Sequence, residues 1–472
     1  MIYYKKNHWY MVLITFFSLI KKLWPYIVFI GIQFSNHILK AIFVCLLAVL
    51  GYSIIKWMNT IILVGDDSLI YKEGAIIKDE MIIPIKSISL IEMQKSVLHR
   101  ILRLRKLKID SLSQSKNTEI YMILKAKELD ELYRNLSGRI KNLINDEGTN
   151  IDRAIGYKIS AFHLILLSML RSNIILGIGL LVSAFQLMGD INQELEEELK
   201  AFFINLLKEN IVTSGTLLAI ALSILFVFAI ILLVILTFSI LATLSKYYKF
   251  KIYRKDNYLM VEYGLLNRKS YSVPSENIHA LKVEQNLINQ MLNLFTIKCS
   301  VVGYGDNVKE DELIFPLCGE KLLMDILNDI VPEFKFDGKV FTPDKKARRR
   351  FYTAPVCWTI AFSLFCYFIA QELWVTFLIV PVVILNRALA SANTELGYNK
   401  NLYYASYKGF NRKRIYIRKS STELIWRISN PFQLRKNLCN YKIKYHSQKK
   451  EDWINIRNLN MDIYEEIKQN IF

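Results

Sequence analysis

The sequence predicts a membrane protein that joins apolar helices to α+β domains. The expected plan is six transmembrane helices in three pairs, each pair followed by a β-sheet domain capped by a C-terminal helix. Three observations predict it. Long apolar stretches come two at a time. Each pair is followed by a polar region rich in β-branched and aromatic residues. The first two polar regions superimpose, without a gap, when one is shifted by 190 positions: Gly74 falls on Gly264 and Pro84 on Pro274.

The helices are the plainest element. Ile211 to Leu244 contains no charged residue, and a spanning helix needs about 20 mainly apolar residues. The first pair is read at Leu23–Phe34 and Ile38–Ile55, the second at Asn173–Leu187 and Ile211–Leu244, the third at Phe351–Ala370 and Leu373–Leu385. Trp9–Ile20 and Ile159–Leu170 precede the first two pairs and are read as helices lying in the headgroup region. No small-residue cleavage site follows the first apolar run, so that run is expected to stay in the mature protein.

The repeat defines the polar domains. Asp66 matches Asp256, Ile88 matches Ile278, Leu102 matches Leu292, and Lys108 matches Lys298. A third copy aligns more loosely at an offset of 335, which sets Gly74 on Gly409 and Arg100 on Arg435. In each copy a strand crosses a polar turn into a second strand ending at the matched glycine, where a hairpin needs positive φ. In the first two copies a third strand runs to the matched proline. Further β-branched runs follow, and an amphipathic helix closes each copy. Its apolar face is Leu129, Leu132, Leu136, Ile140 and Leu143 in the first, Leu323, Ile326, Leu327 and Ile330 in the second, and Ile463, Ile467 and Ile471 in the third. The expected domains are 1–65 (first interfacial helix and helix pair), 66–145 (first β-domain) and 146–248 (linker, second interfacial helix and pair). They continue as 249–334 (second β-domain), 335–398 (linker and third pair) and 399–472 (third β-domain).

The formal charge of +19 would suggest nucleic acid in a soluble protein. In a membrane protein the cytoplasmic loops gather Lys and Arg, so the charge implies orientation instead. Met188–Asn210 holds six acidic residues against Lys200 and Lys208, while the polar domains are basic. Both termini and all three β-domains are therefore expected in the cytoplasm.

The residues also carry a resemblance. Two apolar helices, a β-region with Gly74 and Pro84, and then Gln94, Ser96, Leu98, Arg100, Leu102 and Leu104 resemble the bacterial pleckstrin-homology-type membrane proteins. The second copy keeps a weaker form in Glu284, Asn286, Ile288, Gln290, Leu292 and Leu294, and the third has Asn430-Pro431-Phe432-Gln433 and Arg435. Three such units are similar to the YdbT-like proteins of Gram-positive bacteria. The resemblance implies a seven-stranded bent sheet capped by a helix and residence in the bacterial cytoplasmic membrane. It also implies a smaller two-helix, one-domain relative as partner, and a part in envelope stress tolerance.

Chemistry is hard to find. The six histidines show no metal-ligand spacing, and the six cysteines form no CxxC pair. P-loop and GxSxG motifs are absent, so no enzyme, metal or cofactor is expected. The spans carry almost no ionisable residue, which argues against transport. What remains is interaction. Linked copies of one domain make a multivalent surface for other proteins. Two basic clusters, Arg100, Arg103, Arg105, Lys106 and Lys108, and Arg412, Lys413 and Arg414, are the candidate contacts for anionic lipid at about 1 kcal/mol per charge. The second copy lacks most of the first cluster, with Gln290 and Asn293 in place of Arg100 and Arg103, which favours ordinary positive-inside residues over a defined headgroup pocket.

Overall fold

The computed structural model describes residues 3–33, 38–65, 67–111, 120–129, 131–132, 156–170, 197–198, 201, 205, 217–301, 312–446 and 453–469. Among the described residues each unit has seven strands. In the first they are β1 (Tyr3–Lys6), β2 (Ile61–Val64), β3 (Ser68–Glu73), β4 (Asp79–Pro84), β5 (Ile88–Lys95), β6 (Leu104–Ser111) and β7 (Ile120–Lys125). In the second they are β8 (Gly156–Lys158), β9 (Lys251–Lys255), β10 (Tyr258–Tyr263), β11 (Arg268–Pro274), β12 (Ile278–Gln285), β13 (Leu294–Val301) and β14 (Glu312–Gly319). The third has β15 (Lys339–Phe341), β16 (Glu395–Tyr398), β17 (Leu402–Tyr407), β18 (Arg412–Arg418), β19 (Thr422–Ile428), β20 (Leu438–Tyr445) and β21 (Trp453–Asn460).

The first strand of each unit lies ahead of the apolar helices, outside the spans 66–145, 249–334 and 399–472 expected for the sheets. β1 pairs antiparallel with β2 from Tyr3↔Val64 to Lys6↔Ile61, β8 with β9, and β15 with β16. The apolar helices are thus an insertion between two neighbouring strands, which hold both ends of the excursion at one edge of the sheet. Strands of three or four residues are too short to show a period in sequence, which is why they were not legible there.

Helices Tyr10–Gln33 and Ile38–Asn59 fill the first insertion. The expected break between Trp9–Ile20 and Leu23–Phe34 does not occur. Lys21 and Lys22 sit inside one continuous helix, since lysine is a good helix former. In the second insertion a helix covers Ala161–Leu170, as expected, and a 31-residue helix covers Leu217–Tyr247. Asn173–Leu187 and most of the acidic connector lie outside the described residues. The third insertion is Lys345–Ile369, a 3-10 stretch at Gln371–Leu378, and Ile379–Ala392. Ser363 Oγ donates to the Thr376 carbonyl at 3.2 Å and ties that hairpin together. Among the described residues four segments are long and apolar enough to cross a bilayer: Ile42–Asn59, Ala229–Tyr247, Lys345–Ile369 and Gln371–Ala392.

Each unit has its own core. In the first, Ile62, Leu69, Ile83, Ile109, Met122, Leu129 and Leu132 are buried together. Leu323, Ile326, Leu327 and Ile330 do the same in the second, and Ile463 and Ile467 in the third. The closing helices therefore use the apolar faces read from the sequence wherever those residues are described. Gly74 and Gly264 occupy equivalent hairpins with φ of 129° and 107°, and a Cβ at either would run into the carbonyl three residues on. In the third unit the left-handed residue is Lys408 (φ 73°). Gly409 does not occupy that position, because the alignment slips by one residue at this turn. It is needed for closeness instead: a Cβ there would meet the backbone and side chain of Asn386, on the helix Ile379–Ala392.

Candidate interaction surface

The seven strands of a unit do not form one sheet. The first four and the last three separate at a 3-10 turn, at Ile85–Ser87, Ser275–Asn277 and Lys419–Ser421. The last three strands of one unit then join the first four of the next. One seven-stranded sheet runs β7-β6-β5-β11-β10-β9-β8, and another β14-β13-β12-β18-β17-β16-β15. A strand edge carries unpaired N–H and C=O groups that need partners. Here the neighbouring unit supplies them. The register is the same at both junctions. Lys95 faces Arg268 and Ile91 faces Ser272. At the second junction their repeat equivalents pair: Gln285 with Arg412 and Leu281 with Tyr416.

The signature segment after β5 locks each junction. Ser96 caps the short helix Val97–Ile101 by accepting the His99 N–H at 3.2 Å, while His99 Nδ1 accepts the Ser96 N–H. Asn430 and Gln433 repeat this reciprocal pair in the third unit. The helix ends in a left-handed residue: Arg103 (φ 53°), Asn293 (φ 51°) and Asn437 (φ 55°). Asparagine suits that conformation and arginine does not. From this helix Arg100 donates to the carbonyls of Leu265 and Leu266 (2.7 Å for the latter), in the hairpin of the second unit. Gln290, its repeat equivalent, donates to the carbonyls of Gly409 and Phe410 at 2.8 and 2.9 Å. Arginine and glutamine differ in charge but here perform one task, which sequence comparison had read as loss of a basic site.

Most of the other basic residues are also engaged with protein. Lys106 lies 4.4 Å and Lys108 5.6 Å from the Tyr121 ring centroid, and Lys108 is buried. Arg103 is exposed, and its carbonyl accepts from Ala126. Arg105 is partly buried on β6. Arg412 Nε donates to Ser406 Oγ at 3.2 Å, and the Arg414 guanidinium stands 5.3 Å from the Phe295 ring across the junction. Lys413 reaches Glu284 of the second unit at 2.6 Å, and Lys298 meets the same carboxylate at 2.6 Å. Burial pushes the Glu284 carboxyl up, but these two ammonium groups outweigh it and hold it down at about 2. At the other end of β12, His279 Nδ1 lies 2.6 Å from Ser421 Oγ of the third unit. Burial, then His446 and Arg418, lower its pKa to about 4, so it is neutral at pH 7. The arrangement holds charges within a protein–protein seam. Among the described residues no group of three His, Cys, Asp or Glu could hold a metal ion.

The seam also lies close to the apolar helices. Asn59 donates to the Gly74 carbonyl at 3.0 Å, Gly264 N–H to Tyr248, and Phe410 N–H to Asn386 Oδ1 at 3.0 Å. Each hairpin tip therefore docks at the foot of an apolar helix. Ile76, Ile77, Leu265 and Leu266 on those tips are exposed, as are Leu98, Ile101, Ile288 and Met291 on the short helices.

The pattern described as Bacterial PH domain matches residues 16–140 and 203–329, a little over half of the chain. Each match takes in both apolar helices and β-strands. The chain is also similar to the UPF0699 transmembrane protein YdbT of Bacillus subtilis (strain 168), at 23% identity over 390 residues, covering 77% of this chain and 76% of that protein. No solved structure matches.

Proposed function

Since the chain belongs to the bacterial PH domain family, we propose that it is a multi-pass scaffold of the bacterial cytoplasmic membrane rather than an enzyme. Six spans in three pairs would carry three PH-like units on the cytoplasmic side, where they assemble other proteins. The observation that carries this reading is the strand-paired junction. Units of this fold associate here by adding one unit's strand to another's sheet edge, a mode that is equally open to a separate chain. The polar side chains of the repeated signature serve that docking and leave no converging set of acid, base and nucleophile. The expected partner is a smaller two-helix membrane protein with one PH-like unit, and the setting is tolerance of envelope stress. Affinity purification in mild detergent should recover such a protein in stable proportion. Deleting 399–472 should weaken that recovery while membrane insertion persists. A protein that purifies alone from native-like lipid, and that cross-linking in cells joins to nothing, would overturn the scaffold reading.

A second reading is favoured by the exposed apolar tips. Ile76, Leu98, Ile101, Leu265, Ile288 and Met291, at the foot of the apolar helices, suit the boundary between headgroups and acyl chains. Basic residues around them, Arg103 and Arg105 among them, would then draw anionic lipid.

A further inference from the structure

The two junctions inside the chain use two kinds of edge. The fifth strand of a unit (β5 or β12) offers one, and the fourth strand of the next (β11 or β18) takes it. Among the described residues, two such edges have a neighbouring strand on one side only: β4, the fourth strand of the first unit, and β19, the fifth strand of the last. They are the complementary halves of a third junction.

The constant register allows that junction to be written out. Carrying the β12–β18 pairs forward by one unit sets Leu424 of β19 opposite Ile83 of β4, Ile425 opposite Ile82, Trp426 opposite Met81, and Arg427 opposite Glu80. Three apolar pairs and one opposite-charge pair result, the combination that stabilises cross-strand contacts. Exposure agrees. Ile82 is 63% exposed, whereas its equivalent Ser272 is 6% exposed; Trp426 is 51% exposed, whereas its equivalent Lys282 is 3% exposed. The lock changes in kind: Leu434 stands where Arg100 and Gln290 stand, and the hairpin it would meet carries Ile76. Both are exposed, so an apolar contact replaces the hydrogen bonds.

We infer that two copies of this chain associate head to tail, β19 of one pairing antiparallel with β4 of the next. This rests on the assembly reading and names one occupant for both open edges. A second copy is favoured because it is shown to carry both halves of the junction, in the register that the two internal junctions share. Such a contact is heterologous, so it closes into a ring or continues as a row.

The test uses two differently tagged full-length copies made together, one carrying Glu80→Cys and the other Arg427→Cys. Directly opposite residues lie about 4.5–5.5 Å apart between Cα atoms, within disulfide range. Mild oxidation should link the two tags, whereas Glu80→Cys with Thr422→Cys, about 17 Å out of register along the strand, should not. Mass measurement of the unmodified protein in native-like lipid should give more than one copy per particle. A single copy with no inter-tag disulfide overturns the inference. So does a smaller membrane protein bound at β4 or β19 in place of the second copy, although that result leaves the scaffold reading standing. A particle with one copy and no partner overturns both.

Discussion

Glu284 shows how single residues fasten the units. It sits on β12, 2.6 Å from Lys298 of its own unit and 2.6 Å from Lys413 of the next. Glu284→Gln would leave two ammonium groups close together without their counter-charge. The expected cost is about 1–3 kcal/mol, a fall of about 2–4 °C in Tm per kcal/mol for a domain of this size, read by thermal unfolding in detergent. Glu284→Asp should recover part of it. The residue was visible in the sequence only as a degraded member of a repeat signature. Its partner Lys413 was grouped with Arg412 and Arg414 as a lipid contact. Nothing local in either residue says that the other lies opposite, because their meeting depends on a register between strands more than 120 positions apart.

Among elements, the β12–β18 junction should respond to acid. His279, lowered from 6.5 to about 4, binds fewer protons in the folded state than in the unfolded. Its contribution to stability is complete above pH 6.5 and is lost as pH falls towards 4. Glu284, lowered from 4.5 to about 2, has the same sign in a lower window, and its contribution fades from about 4.5 down to 2. Hydrogen exchange should therefore show the amides of β12 and β18 losing protection below about pH 6.5, ahead of those of β13 and β17 on either side of the junction. His279→Gln should flatten the upper part of that profile. Unchanged protection between pH 6.5 and 4 would rule out His279 as a junction group. The closing helices illustrate what was legible at this scale. Leu323, Ile326, Leu327 and Ile330 follow a helical period, and all four are buried. The strand β15, three residues long, has no period to read.

At the scale of the whole molecule the testable property is placement in the bilayer. The charge asymmetry between Met188–Asn210 and the β-domains is the ground for proposing that the connector lies outside and the domains inside. A cysteine replacing Asn192 should react with an impermeant thiol reagent in intact cells, and one replacing Asn307 should react only after the cells are opened. The reverse pattern would invert the protein. The sequence by itself determined the four segments that are long and apolar enough to cross a bilayer among the described residues, the repeat, the hairpin glycines Gly74 and Gly264, and the apolar faces of the closing helices where these are described. Each depends on residues near one another in the chain: a length of lipid-compatible side chains, a period, a backbone angle that glycine tolerates. Tertiary structure decided that the helices are inserted between the first and second strands. It also decided that each unit splits four and three, and that neighbouring units share sheets. Those features are made by backbone N–H and C=O groups, which every residue but proline carries alike, so side-chain identity does not announce which edge meets which.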